Sequence, residues 1–332
     1  MDNLTHSLVG LFLARSGFKR FTPRGTAIMV LAANAPDFDV ICWFGGPVSY
    51  IRWHRNITHS LIALPFMALL AVAIVRVLGR KEIRWLPAFL IAMVAVASHL
   101  ILDLTNVYGV RLLLPFSGRW FHWDATPVVD LAIWAMLLAG VAATGLGRLV
   151  GAEIGERQKG SGAGWAVVAL LFLSAYDYGR SVLHDHAVAL MDSRIYNGAA
   201  PLRTGAFPRA NPLLWTGVAE LSNAYVEVPI DLRASFHPDA GETFYKAEQT
   251  AALTAAMETK PFQRFLEFVQ YPVWVTGPAP DLERATLVRL VDLRFGTPYA
   301  AGFQAVATVT DRNQVADSTL IMGVPSPGQV IR

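Results

Sequence analysis

The chain has 332 residues, 54% of them hydrophobic and only 16% charged, with a mean hydropathy of +0.39; an average soluble domain carries about a quarter charged residues. A net charge of +3, with no cluster of Lys and Arg interleaved with aromatics, excludes a nucleic-acid groove. A lone cysteine, Cys42, excludes an intrachain disulfide framework and a cysteine-rich zinc site.

The apolar excess falls before about residue 190. It predicts an α-helical membrane bundle over 1–189, of about six helices with the first two short, followed by a small α+β soluble domain over 190–332. The opening "MDNLTHSLVGLFLARSGFKR" has an acid before its apolar stretch and no small-residue cleavage site. It therefore reads as part of the mature protein rather than a signal peptide.

In chain order, Leu4 to Ala14 and Thr26 to Ala35 are too short for separate spans and read as a hairpin of short helices, the second stopped by Pro36. Ile57 to Leu78, Trp85 to Leu104 and Thr126 to Leu146 approach or reach the about 20 residues that cross a bilayer. Trp165 to about Leu183 is apolar at first and turns polar at "YDYGRSVLHDH". Basic residues collect in alternate loops: Arg15, Lys19, Arg20 and Arg24; then Arg76, Arg80, Lys81 and Arg84; then Arg148, Arg157 and Lys159. By the positive-inside rule these loops face the cytoplasm, which places both termini and the C-terminal domain outside a bacterial inner membrane.

Beyond the short Gly-rich linker "KGSGAG" and about Ser193 the pattern changes. "PLLWTGVAELSNAYVEVPIDL" reads as a hairpin of alternating strands and "YKAEQTAALTAAMETKPFQRFLEF" as helix. "YPVWVTG", "RATLVRLVDLRF" and "FQAVATVTD" read as strands from their β-branched residues and period-two alternation.

On this topology the polar residues partition sharply. All of the eight histidines except His237 lie at the outer ends of the predicted helices, beside Asp37, Asp39, Asp103, Asp124 and Asp185. His99 and Asp103 are four apart, on one helical face, so a nitrogen and an oxygen can reach one ion. Mixed imidazole and carboxylate ligands suit zinc, with manganese or iron as alternatives, better than calcium or magnesium. Each residue alone has a plainer reading: an interfacial imidazole, a helix stop, a hydrogen-bonded pair between helices. Their joint placement on one side points to a site.

The segments "LTHSLVG", "NAPDFD", "HRNITHS", "SHLILDLTN" and "YGVRLLLPFS", in this order over about residues 1–180, resemble the YdjM-type family of bacterial inner-membrane proteins, described as metal-dependent hydrolases. The resemblance implies a metal site at the matching positions His6, Asp37, His54, His59, His99 and Asp103. It does not cover the domain after residue 190.

The resulting expectation is a membrane-bound hydrolase that uses metal-activated water. His59, His99 and Asp103 are the core ligands, His6 and Asp37 complete one or two metals, and His54 is a ligand or the general base. Asp39 is a candidate for catalysis or, like Asp124 beside His122, for orienting a ligand imidazole from behind. Arg52, Arg55 and Arg119 are placed to receive an anionic group. The expected substrate is a membrane lipid or lipid-linked phosphoester, and the spacing in "SHLILD" is similar to one in zinc-dependent phospholipases C. Two other readings stand beside it: a metal-ion or proton transporter, and a metal-stabilised scaffold whose C-terminal domain binds a partner.

Overall fold

The structure, a computed structural model, describes residues 1–79, 82–153 and 162–323. Arg80, Lys81, Arg157 and the first half of the "KGSGAG" linker, Lys159 included, on which the expected orientation and linker partly rest, lie outside the described residues, as does the side chain of Arg148. The chain divides into two compact units. One holds Met1–Asp39, Arg55–His184 and Pro208–Pro212; the other holds Val40–His54, Asp185–Phe207 and the residues from Leu213 on.

The first unit is helical. Helix α1 (Asn3–Arg15) starts where the Asp2 carboxylate accepts from the amides of Leu4 and Thr5, satisfying donors that a helix N-terminus leaves open. It crosses α2 (Gly25–Ala32) closely, because Gly10 brings no side chain to the contact. A Cβ there would stand 2.9 Å from the Ala33 Cβ and from the Met29 carbonyl. Small residues at such a crossing let backbones approach, and this one seats Ala33, whose carbonyl serves the site described below. After α2, Pro36 prevents continuation, and the chain turns into a 3₁₀ segment, Pro36–Gly45.

Helices α4 (Leu64–Leu78) and α5 (Trp85–Thr105) pack with α2 around an alanine-rich core that includes Ala32, Ala68, Ala71, Ala88, Ala92 and Ala95. A second core joins α1 to α6 (Leu131–Glu153) and α7 (Ala163–Asp192), centred on Phe12, Ile133 and Leu137. The Asp130 carboxylate opens α6 by accepting from Ala132 and Ile133.

Among the described residues α5 and α7 are long and apolar enough to cross a membrane, and up to four spans exist if each of two bent pairs counts as one. The bent pairs replace two of the expected simple helices. Residues Gly25–Ala32 and Pro36–Gly45 bend by 48°, and Pro47–His59 and Leu64–Leu78 by 91°. The expected span from Ile57 to Leu78 is thus broken: Ile57–His59 is a 3₁₀ turn and regular helix begins only at Leu64, beside Pro65. In the other direction α7 runs past the expected end near Leu183, so His184, Asp185 and His186 sit inside a helix rather than at its end.

The second unit contains two antiparallel four-stranded meanders. The first comprises β1 (Arg203–Pro208), β2 (Leu214–Glu220), β3 (Ala224–Asp231) and β4 (Glu242–Tyr245). The expected hairpin is β2–β3, in register from Leu214 opposite Asp231 to Glu220 opposite Tyr225. The second comprises β5 (Pro272–Pro278), β6 (Thr286–Asp292), β7 (Phe303–Val309) and β8 (Val315–Met322). The single helix expected between the sheets is two, α8 (Ala251–Met257) and α9 (Lys260–Leu266). Pro261 has no amide proton and is tolerated only in a first turn, so a new helix starts there.

Residues 37–56, between the second and third apolar stretches, are expected to be a loop. The structure instead places α3 (Pro47–Trp53) there and packs it against α9 and β8 of the second unit.

Candidate metal centre

Four elements of the helical unit deliver the site. The 3₁₀ segment after α2 brings Asp37 in its first turn, the Ile57–His59 turn brings His59, and α5 brings His99 and Asp103 one turn apart. His59, His99 and Asp103 are fully buried and Asp37 is 5% exposed. One ligand atom from each lies within 4.8 Å of every other, a grouping that could hold a metal ion.

The distances are informative. His59 Nε2 is 3.1 Å from His99 Nε2, 3.4 Å from an Asp37 oxygen and 3.3 Å from Asp103 Oδ2. His99 Nε2 is 3.4 Å from the same Asp103 oxygen and 3.7 Å from Asp37. Ligands about 2.0–2.1 Å from a tetrahedral zinc stand about 3.3–3.4 Å from one another. The observed edges bracket that value.

The back of each ring fixes its tautomer. His99 Nδ1 lies 2.7 Å from the Ala33 carbonyl, which only accepts, so Nδ1 carries the proton and a neutral ring turns a bare Nε2 inward. The Thr58 hydroxyl donates to Asp39 at 2.6 Å and lies 3.0 Å from His59 Nδ1. Its oxygen therefore accepts from that ring, with Asp39 Oδ2 at 3.3 Å behind. Two nitrogen lone pairs and two carboxylates then converge on one buried point. Asp103 Oδ2 receives no hydrogen bond there. Such a set repels itself unless a cation lies between, so these residues fit a divalent ion.

Arg55 differs from its expected part. It is 2% exposed, and its guanidinium donates to Asp103 Oδ1 at 2.9 Å, Asn106 Oδ1 at 3.1 Å and the carbonyls of Met1 and Gly109. The Met1 amino group also contacts Asp103 Oδ1. A cation so engaged orients Asp103. Its backbone amide, at φ 53°, donates to Asp39, so one residue braces carboxylates on both sides of the centre.

His122 and Asp124 are expected behind a ligand imidazole. They pair with each other at 2.8 Å, while the ligand rings already have Ala33, Thr58 and Asp39 behind them. His6 is buried with its ring stacked on His99, centroids 3.7 Å apart, and its Nε2 lies 3.5 Å from Asp103 Oδ1. Arg52 and His54 belong to the second unit, Arg52 over the Trp53 ring and His54 stacked on Tyr50. Arg119 is exposed and lies over the Phe121 ring. Sequence patterning gives no signal for Ala33, which acts through its backbone carbonyl, whereas Thr58 stands directly before His59, where a hydroxyl can orient the ring.

A family model, YdjM inner membrane protein, matches residues 1–184. The chain is 33% identical over 138 residues to the inner membrane protein YbcI of Escherichia coli (strain K12), a match covering 39% of this chain and 78% of YbcI. It is 30% identical over 152 residues to YfhP of Bacillus subtilis (strain 168), described as an uncharacterized protein. That match covers 43% of this chain and 46% of YfhP, so the chain spans about half the length of that relative. No solved structure matches. With the family match running through every ligand-bearing segment and over more than half its length, this chain belongs to the YdjM inner membrane protein family.

Proposed function

We propose that the helical unit is a metal-dependent hydrolase of the inner membrane, acting at the outer face on a lipid-linked phosphoester, with Asp37, His59, His99 and Asp103 holding a divalent ion, zinc first. The observation that carries it is the pair of imidazoles whose Nδ1 protons are both committed elsewhere and whose Nε2 atoms face each other at 3.1 Å before two carboxylates. A bound divalent ion supplies Lewis acidity and activates water at neutral pH.

The chain's own groups set up that chemistry. Ala33 and the Thr58–Asp39 pair fix the tautomer of each ring, which sharpens its basicity as a ligand. Arg55 holds Asp103. We place Asp39 as an orienting group rather than a proton carrier, since its Oδ2 already accepts from Thr58 and from the Arg55 amide. Asp37, whose side chain is 6% exposed against 0% for the other three, is the ligand best placed to yield a position to substrate. The reading also includes several membrane crossings and an extracytoplasmic C-terminal domain, supported by the alternating basic loops.

A second reading has an observation of its own. Four protein ligands, all buried, resemble a closed structural site, as in a metal-stabilised scaffold. Two measurements separate the possibilities. Metal content by mass spectrometry should fall from one ion per chain towards zero in His99→Ala and Asp103→Ala; equal content in the variants ends the ligand assignment. A phosphoester screen should then show turnover that a chelator abolishes and zinc or manganese restores. Tightly held metal with no turnover favours the scaffold.

A further inference from the structure

Between α5 and α6 the chain makes a connection whose sequence, "RLLLPFSGRWFHW", mixes arginine with aromatics and leucine. It is a built structure. Val110 and Phe121 exchange backbone hydrogen bonds at 2.9 Å in both directions, and Trp123 donates to Leu104 at 2.7 Å. The Asn106 side chain accepts from the Tyr108 and Gly109 amides. Gly109, at φ 77°, lets the strands close, since a Cβ would stand 2.6 Å from the Phe121 carbonyl.

These ties border an open pocket of about 400 Å³, within the about 300–1,000 Å³ usual for small-molecule sites. Its walls include Leu112, Phe121, Trp120 and Trp123, and its polar members are Arg119 and His122. The Arg119 guanidinium lies 5.3 Å from the Phe121 ring centroid, and Arg111 lies over the Trp120 ring at 4.7 Å. Asp124 is paired with His122, which leaves the neighbourhood cationic. Beside it, on the same connection, Phe116 is 85% exposed, with Leu113 and Trp123 about half so. Bared apolar rings next to arginines are unfavourable towards water and suited to a bilayer's headgroup level.

We propose that this pocket binds the phosphate-bearing headgroup of a membrane lipid, with Arg119 taking the phosphate and the aromatic walls taking the glycerol and upper acyl carbons. Free phosphate would use the arginine and leave the walls bare; a lipid uses both. The pocket is fastened to the metal-ligand segments. Leu61, two residues after His59, donates to the Leu112 carbonyl at 2.9 Å. Trp120 meets Tyr108 edge-on at 5.7 Å, and Tyr108 lies under Arg55, the residue that holds Asp103. As an account of which substrate the centre would receive, the proposal rests on the phosphoester reading above; as a binding site it stands by itself.

The test uses the full chain in dodecyl maltoside, titrated by calorimetry with dihexanoyl phosphatidic acid, dihexanoylglycerol and inorganic phosphate. The phosphatidic acid should bind at least about tenfold more tightly than either comparator, as expected for one charge-assisted contact added to apolar burial. Arg119→Gln should weaken it about tenfold, and Arg119→Lys should restore most of the loss, with metal content per chain unchanged in both. Equal binding by Arg119→Gln, or comparators that bind as tightly as the phosphatidic acid, would overturn the proposal. Lipid discrimination in protein that, supplied with zinc or manganese, neither retains a metal ion nor turns over a phosphoester would keep the pocket and remove the hydrolase.

Discussion

Both units of this protein bury charge, and they do so in opposite ways. In the β unit, Asp292 and Arg294 are buried together, and their account closes. Asp292 accepts from the amides of Gln270 and Arg294 and from the Arg294 guanidinium at 2.7 and 2.9 Å. Arg294 donates onward to the Phe268 carbonyl and packs on the Phe268 and Phe295 rings. In the helical unit, by contrast, the polar atoms that face one another are two ring nitrogens and two carboxylates. Both ring N–H donors point outward, His99 to the Ala33 carbonyl and His59 to Thr58 with Asp39 behind it, while Arg55 and the Met1 amino group meet Asp103 only through its other oxygen, Oδ1. A self-neutralising pair is a structural device. A set of acceptors that converge without a proton to share needs something brought from outside.

The sharpest way to break this contrast is to remove ligands. His99→Ala should lower bound metal more than tenfold, measured by mass spectrometry on purified protein, and make thermal unfolding of the helical unit insensitive to chelator. In the wild type, chelation should cost about 2.7–4 kcal/mol of stability if the ion is present at 100–1,000 times its dissociation constant. If His59 is simply protonated and holds the carboxylates as an imidazolium, chelator will leave the wild type unmoved, and the contrast collapses. Next in size, Arg294→Leu should destabilise the β unit by about 3–5 kcal/mol, because it strands a buried carboxylate. Limited proteolysis would show faster cleavage within β5–β8, with metal content untouched. Loss of metal in Arg294→Leu would mean that the two kinds of buried charge are not independent.

How much of this could be read from the sequence follows from the range of each interaction. The i,i+4 spacing of His99 and Asp103 is local, and helix geometry alone puts them on one face. The β2–β3 hairpin and strands β5, β6 and β7 were legible for the same reason, as alternation within a few residues. What was not legible depends on tertiary contacts or on backbone atoms. Arg55 reads as an anion receptor among its neighbours in "WHRNITHS", and only the fold reveals that Asp103, Asn106 and two carbonyls already occupy it. Strands β1 and β8 were missed because "RTGAFP" and "VADSTLIM" carry glycine, proline or polar runs that weaken the alternating signal. The break before Leu64 was hidden because the apolar run is continuous in composition while Pro65 and the Ile57–His59 turn interrupt its backbone.

A smaller effect probes the support behind the metal ligands. Thr58→Val keeps the side-chain shape while removing the hydroxyl that stands between Asp39 and His59 Nδ1. Groups that orient a ligand ring in this way are worth about 10–100-fold in metal affinity. Competition against a chromophoric chelator should therefore show weaker binding in Thr58→Val with one ion still bound at saturation. Unchanged affinity would mean that the His59 ring is held by packing alone, and that the tautomer argument applies to His99 only.

The smallest effect lies on the surface of the β unit, where charge is again self-neutralised but partly wet. Burial pushes the Glu220 carboxyl up, and hydrogen bonds from Lys246 at 2.7 Å and Arg203 at 2.5 Å pull it down further, leaving it below the ordinary glutamate value of 4.5. A carboxylate held low contributes stability that is present above its unfolded value and disappears as pH falls through the folded one. The β unit should thus lose a little stability below pH about 4.5, by about 0.2–1 kcal/mol once the exposure of Arg203 and Lys246 is allowed for. Glu220→Gln should flatten that part of a stability–pH curve and leave the region above pH 6 displaced by a constant amount. A curve in the variant as steep as in the wild type would assign the acid response to other carboxylates.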